Sequence, residues 1–131
     1  MAYRLFISHS WSYSDQYLRL VELLNRELGF FYNHSVPQSD PVHTNGTDRE
    51  LYNKIEAQVR GCSCVVILAG VYATYSKWIN KEIEIAEKLG KPIIAVEYWG
   101  AEHTSTVVKN AATEIVRWNA SSIASAIRRN S

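Results

Sequence analysis

The sequence predicts an α/β protein of the flavodoxin-like class, a five-stranded parallel sheet with helices on both faces. Three observations lead there. Short apolar runs rich in β-branched residues recur five times, at 3–8, 30–32, 64–68, 92–96 and 114–116. The intervals between them leave room for helices, and crossovers of a dozen or more residues favour parallel pairing. Finally, the 131 residues show no repeat, no low-complexity tract and no linker, which describes one domain over the whole chain, 1–131. A chain of this size buries roughly two-thirds of its unfolded surface and needs neither disulfide nor structural metal.

Each helix has its own signals. After the first run, Ser12-Tyr13-Ser14-Asp15 is a capping box, and Tyr17, Leu20, Val21, Leu24 and Leu28 mark one face of a helix stopped by Gly29. Thr47-Asp48-Arg49-Glu50 is a second box, followed by Leu51, Ile55 and Val59 at four-residue spacing and a stop at Gly61. A third helix is expected over 76–89, before Gly90, with Pro92 opening the fourth strand. A last helix over 121–129 places Arg128 and Arg129 at its negative end. The stretch 33–46 is irregular, carrying Pro37, Pro41 and several turn formers. Loops of that length in compact domains are usually functional or mobile.

Composition excludes several function classes. With 14 Lys+Arg against 13 Asp+Glu and no block of like charge, the chain has no electrostatic footprint for nucleic acid or a membrane surface. Its longest apolar run, 64–73, falls far short of the ~20 residues that span a bilayer. The first strand begins too early to leave room for a signal-peptide core, so a cytoplasmic location is expected. Cys62 and Cys64 match no disulfide framework or zinc pattern and read as reduced core thiols.

In an open α/β sheet, ligands bind beyond the carboxyl ends of the strands. Trp11, Trp99 and Trp118 each follow an apolar run, and Trp78 opens the helix after the third. Each alone can be a gap-filling indole; together at one rim they suggest a stacking site. Glu82 is the most informative position. On a helical wheel of about 100° per residue, Trp78, Ile79, Ile85, Ala86 and Leu89 fall within roughly 60° of it, so a carboxylate occupies the middle of an apolar stripe. Lys77, Asn80, Lys81, Glu84, Glu87 and Lys88 take the other side. An unpaired buried charge is costly, which leaves two readings: a functional group, or a carboxylate paired near the helix start. No Gly-rich phosphate loop follows the first strand, the four histidines lack metal-ligand spacing, and no nucleophile elbow is present. No metal site is expected.

Two of these segments carry a family resemblance. Phe6-Ile7-Ser8-His9 resembles the opening motif of Toll/interleukin-1 receptor (TIR) domains, and Ser76-Lys77-Trp78-Ile79-Asn80-Lys81-Glu82 resembles their S-x-W-x-x-x-E box. Extended to Ser10-Trp11, Ser35-Val36-Pro37, Asp40-Pro41 and Tyr75, the pattern is similar to short bacterial TIR-like proteins that include the Thoeris anti-phage sensors. The irregular stretch 33–46 falls where TIR domains carry their BB loop. The resemblance implies the TIR fold and NAD as substrate, with no cofactor. NAD would be cleaved at the nicotinamide–ribose bond by Glu82, to give a cyclic ADP-ribose signal read by a downstream effector. Ser8, His9, Trp11, Asp40, Ser76 and Trp78 would bind the substrate, and other TIR domains would be partners in an active homo-oligomer. Ile79 stands where many members have cysteine, and His9-Ser10 replaces an arginine-bearing loop. The competing reading is a non-catalytic adaptor that acts by TIR–TIR assembly; a carboxylate centred on an apolar face favours the enzyme.

Overall fold

A computed structural model of the chain describes residues 3–8, 14–35, 47–69, 77–97 and 106–131. Five strands form one sheet: β1 (Tyr3–Ser8), β2 (Phe31–Asn33), β3 (Cys64–Ala69), β4 (Ile93–Glu97) and β5 (Glu114–Arg117). Their order is β2-β1-β3-β4-β5 and every pairing is parallel. The helices are α1 (Ser14–Leu28), α2 (Asp48–Gly61), α3 (Lys77–Lys88), α4 (Thr106–Ala111) and α5 (Ala120–Asn130). The flavodoxin-like architecture is the one the alternating runs predict.

Side chains alternate across each strand, and the two sets bury against different helices. Leu5, Ile7, Cys64, Val66, Leu68, Ile94 and Val96 pack beneath Leu20, Leu23 and Leu24 of α1 and Ile123, Ala126 and Ile127 of α5. Phe6, Val65, Ile67, Ala69, Ile93 and Ala95 pack beneath α2, α3 and α4, with Leu51, Ile55 and Val59 on α2 and Ile79, Ile83, Ile85 and Ala86 on α3. Because β1, β3 and β4 are covered on both sides, they read as continuous apolar runs rather than alternating ones. The first four helices each return the chain to the start of a parallel strand, and all five follow a strand's end, so the helices that cover the sheet begin at its carboxyl edge.

Helix ends follow local chemistry. Thr47 completes the expected capping box, its hydroxyl accepting from Glu50 N–H at 3.1 Å while the Glu50 carboxylate accepts from Thr47 N–H at 3.4 Å. After α1 and α3 the chain turns through Gly29 and Gly90, both at positive φ (73° and 69°), where a Cβ would be strained. α4 is absent from the sequence reading for a physical reason. It has six residues, of which only Val108 is buried, too few to set up a period. β2 begins one residue later than expected, leaving Phe30 exposed outside the strand, and β4 runs one residue further, through Glu97. No helix among the described residues is long and apolar enough to cross a membrane.

Candidate functional site

Three polar residues are buried among the described residues, Ser8, Glu82 and Glu97, at 2%, 6% and 7% exposure. All three lie on the α2/α3/α4 side. Ser8 ends β1 and faces the same way as Phe6. Glu82 sits in the second turn of α3 among buried Ile79, Ile83, Ile85 and Ala86, as the apolar stripe predicts. Glu97 ends β4 and faces the same way as Ile93 and Ala95. These strand ends form the carboxyl edge of the sheet, where α/β proteins take their ligands.

Burial pushes the Glu82 carboxyl up to about 8, and the neighbouring Ser8 hydroxyl pulls the other way. That pull is weak support. Neither Ser8 Oγ nor Glu82 Oε2 completes a hydrogen bond of ordinary geometry, so the two adjacent groups are buried and unsatisfied. Orphaned buried polar atoms are uncommon in folded proteins, each costing about 1–3 kcal/mol. Their pairing here marks a place that a polar ligand would complete.

Beside Ser8, the edge is braced by a side-chain network. β1 and β2 pair only as far as Leu5 and Asn33. Beyond that point the Ile7 N–H donates to Ser35 Oγ (3.1 Å), a hydroxyl standing in for a missing strand partner. Ser35 Oγ donates to Asn33 Oδ1, and Asn33 Nδ2 donates to Tyr17 OH on α1 (2.8 Å). Between the first two turns of α2 and α3, an open cleft of about 380 Å³ is lined by Asp48, Arg49, Tyr52 and Asn53 of α2 with Lys81 of α3. Ser8, Glu82 and Glu97 are not among its lining residues.

Of the sequence-derived site residues, the structure brings Ser8 and Glu82 together. Trp78 lies one turn before Glu82 in α3, with its side chain outside the described residues. His9, Trp11, Asp40 and Ser76, with Trp99, also lie outside them. One part of the aromatic reading is corrected: Trp118 packs half-buried on the α1/α5 side with Val116 and Ala120, across the sheet from Glu82. Glu97 was missed because a strand ended at Val96 leaves it in a loop. The signal was the alternation Ile93, Ala95, Glu97, which the continuous apolar run obscured.

The cysteines are free and buried on opposite sides of the sheet. Burial raises both thiols, that of Cys64 to about 12, so neither is an activated nucleophile. Among the described residues, no group of three or more His, Cys, Asp or Glu could hold a metal ion.

The family described as "Thoeris protein ThsB, TIR-like domain" matches residues 6–103. No curated protein matches the chain significantly. Among solved structures, the CMP N-glycosidase BcmB of Clostridium botulinum aligns at 14% identity with a TM-score of 0.60, covering 96% of this chain and 98% of its own. A 3-dehydroquinate dehydratase-like protein from Bifidobacterium longum aligns at 13% identity with a TM-score of 0.54, covering 99% of this chain and 95% of its own. At such identities the likeness is one of fold.

Proposed function

Since the chain belongs to the TIR-like domain family of the Thoeris protein ThsB, we propose that it is a glycohydrolase of anti-phage defence that cleaves NAD between nicotinamide and ribose. The observation that carries this reading is the buried Glu82 carboxyl beside the unpartnered Ser8 hydroxyl at the carboxyl edge of the sheet. The scissile bond breaks through an oxocarbenium-like centre on the ribose. A carboxylate against the sugar hydroxyls orients it and stabilises the developing positive charge, most strongly where water is excluded. Ser8 supplies a donor that holds the carboxylate once it ionises.

The remaining contacts are assigned from the family resemblance. Trp78, at i−4 from Glu82 on the same helix face, offers a surface for an aromatic ring of the dinucleotide. His9, Trp11, Asp40 and Ser76 complete substrate binding. The product is a cyclic ADP-ribose isomer, made by holding the nucleotide's own group against the ribose carbon while water is kept out. The active form is an assembly of TIR-like domains in the cytoplasm, and its product acts on a separate effector. The fold is shared with a CMP N-glycosidase, itself an enzyme of nucleotide N-glycosidic bonds; that likeness supports the reading only at the level of architecture.

The test is product analysis. Purified protein is incubated with NAD, with and without lysate of infected cells, and the products are identified by mass spectrometry. Nicotinamide release with a cyclic product is expected from wild type and not from Glu82→Gln. Turnover at the wild-type rate in the variant would show that Glu82 is not the catalytic group. A wild type that assembles yet never consumes NAD would favour the adaptor reading.

A further inference from the structure

We propose that Glu97 is a second catalytic carboxylate of this site, the base that takes the proton from the hydroxyl attacking the ribose. The proposal rests on the NAD-cleaving reading above and extends it to a residue that neither the helix box nor the opening motif contains.

Position is the first ground. In the register of the sheet, Ser8 lies opposite Ile67, Ile67 opposite Ala95, and Glu97 opposite Ala69. Glu97 is therefore two strands across from Ser8 and two residues nearer the carboxyl rim, an offset of about 12 Å between Cα atoms from standard strand spacing and rise. Glu82, on α3, stands beside Ser8 at the end of β1, and Glu97 ends β4, so the two carboxyls lie over different strand ends of one face and are both buried. The floor between them is low: Ala69 and Ala95 occupy rows that on the opposite face hold Leu68, Val96 and Ile94. The second ground is the unsatisfied pair, Ser8 Oγ and Glu82 Oε2, which marks this face as one a ligand completes.

Chemistry supplies the third ground. When the C1′–N bond of NAD breaks, its electron pair goes to the cationic pyridinium nitrogen, and nicotinamide leaves neutral without needing a proton. The new bond forms between C1′ and the oxygen of water or of a hydroxyl within the substrate, and that oxygen must shed a proton. Glu82, turned to the sugar, is occupied with charge. A second carboxylate on the other side of the ribose carbon receives the proton, in the manner of paired carboxylates in glycoside hydrolysis.

Because only the nucleophile's proton is at stake, a nucleophile without one separates the roles. A pyridine attacks C1′ through its ring lone pair and forms a new dinucleotide with no proton to lose. We therefore compare nicotinamide release in buffer with exchange in the presence of 3-acetylpyridine, for wild type, Glu97→Gln and Glu82→Gln at one protein concentration. Glu97→Gln is expected to lower hydrolysis and cyclisation on the order of 100-fold or more, while exchange stays within about threefold; Glu82→Gln is expected to lose both. Equal loss of both reactions in Glu97→Gln, or loss of neither, overturns the proposal while leaving NAD cleavage standing. A wild type that performs neither reaction overturns the underlying reading and this one with it. Should Glu97→Gln fail to fold, Glu97→Asp replaces it, and must depress hydrolysis more than exchange for the assignment to hold.

Discussion

The two faces of the sheet are built by the same rule and put to different uses. On the α1/α5 side every buried residue is apolar, from Leu5 and Ile7 through Leu24 to Ile127. The α2/α3/α4 side has an apolar core of similar make-up, yet carries all three buried polar residues found among the described ones. Each face is also clipped at its surface, one by Arg129 on Glu114 and Arg128 on the Glu27 carbonyl, the other by Lys88 on Glu56 at 2.7 Å. Exposed pairs of this kind contribute little, so they do not distinguish the faces. What distinguishes them is that the core of one face is closed by apolar residues alone, whereas the other buries a serine and two carboxyls toward its carboxyl end. A single sheet can carry an unsatisfied carboxyl oxygen because the opposite layer and the lower part of the same layer are packed with buried apolar side chains.

Glu82→Gln breaks this contrast most directly. Removing the charge is expected to cut NAD turnover on the order of 10³-fold, the scale of losing one electrostatic stabiliser of a transition state. The same change is expected to raise stability at neutral pH. The folded-state carboxyl is pushed up to about 8 from an ordinary 4.5, so unfolding releases a proton throughout that window. The Glu82 contribution to wild-type stability is fully present below pH 4.5 and falls about tenfold per unit in the folding equilibrium until pH 8, where the loss levels off. Denaturant titrations at several pH values check this: the variant should be flat across the window and wild type should slope.

The next test is made on the closed face. Leu24→Ala removes a fully buried side chain from the α1/α5 layer and is expected to cost about 2–5 kcal/mol. Its kcat with NAD should match wild type for as long as the protein remains folded. A loss of kcat in the folded variant, with circular dichroism unchanged, would mean that the two faces are coupled.

How much of this was legible in the sequence depends on what each element had to reveal. Apolar runs, the Thr47–Glu50 box and the two glycine stops are local signals, and the sheet and four helices follow from them. Helix α4 buries one residue and sends no periodic signal. Glu82 was visible because a helix displays a misplaced charge against its 3.6-residue period. Glu97 was not, because a strand buried on both faces has no polar alternation for a charge to interrupt. The partnership of Ser8 with Glu82 is a matter of tertiary packing: nothing in the residues of β1 says which helix will lie over its end.

The pH dependence of catalysis sharpens the contrast in a different way. If the ionised form of Glu82 is the one that meets the ribose, kcat/KM for NAD should rise about tenfold per pH unit up to about 8 and then level, because the free protein must ionise a carboxyl that burial keeps protonated. The activity and the stability of the wild type would then change in opposite directions over the same interval. A profile flat from pH 6 to 9, measured at fixed protein concentration, would show that the ionised carboxylate is not required.

The smallest effect expected is at Thr47, where the polar face begins its second helix. The hydroxyl caps the α2 N-terminus and the Glu50 carboxylate returns the bond, so Thr47→Ala exposes one helix-end donor and loosens another. The expected cost is about 1 kcal/mol of stability, independent of the state of Glu82, since the cap is satisfied within its own helix end. That independence is the useful part. A cap holds a helix in place by satisfying its own backbone, whereas Glu82 keeps its Oε2 without a hydrogen bond at a separate place on α3, so combining Thr47→Ala with Glu82→Gln should give additive stability changes at pH 8. Non-additivity beyond about 0.5 kcal/mol would show that the start of α2 and the buried carboxyl on α3 are one coupled unit.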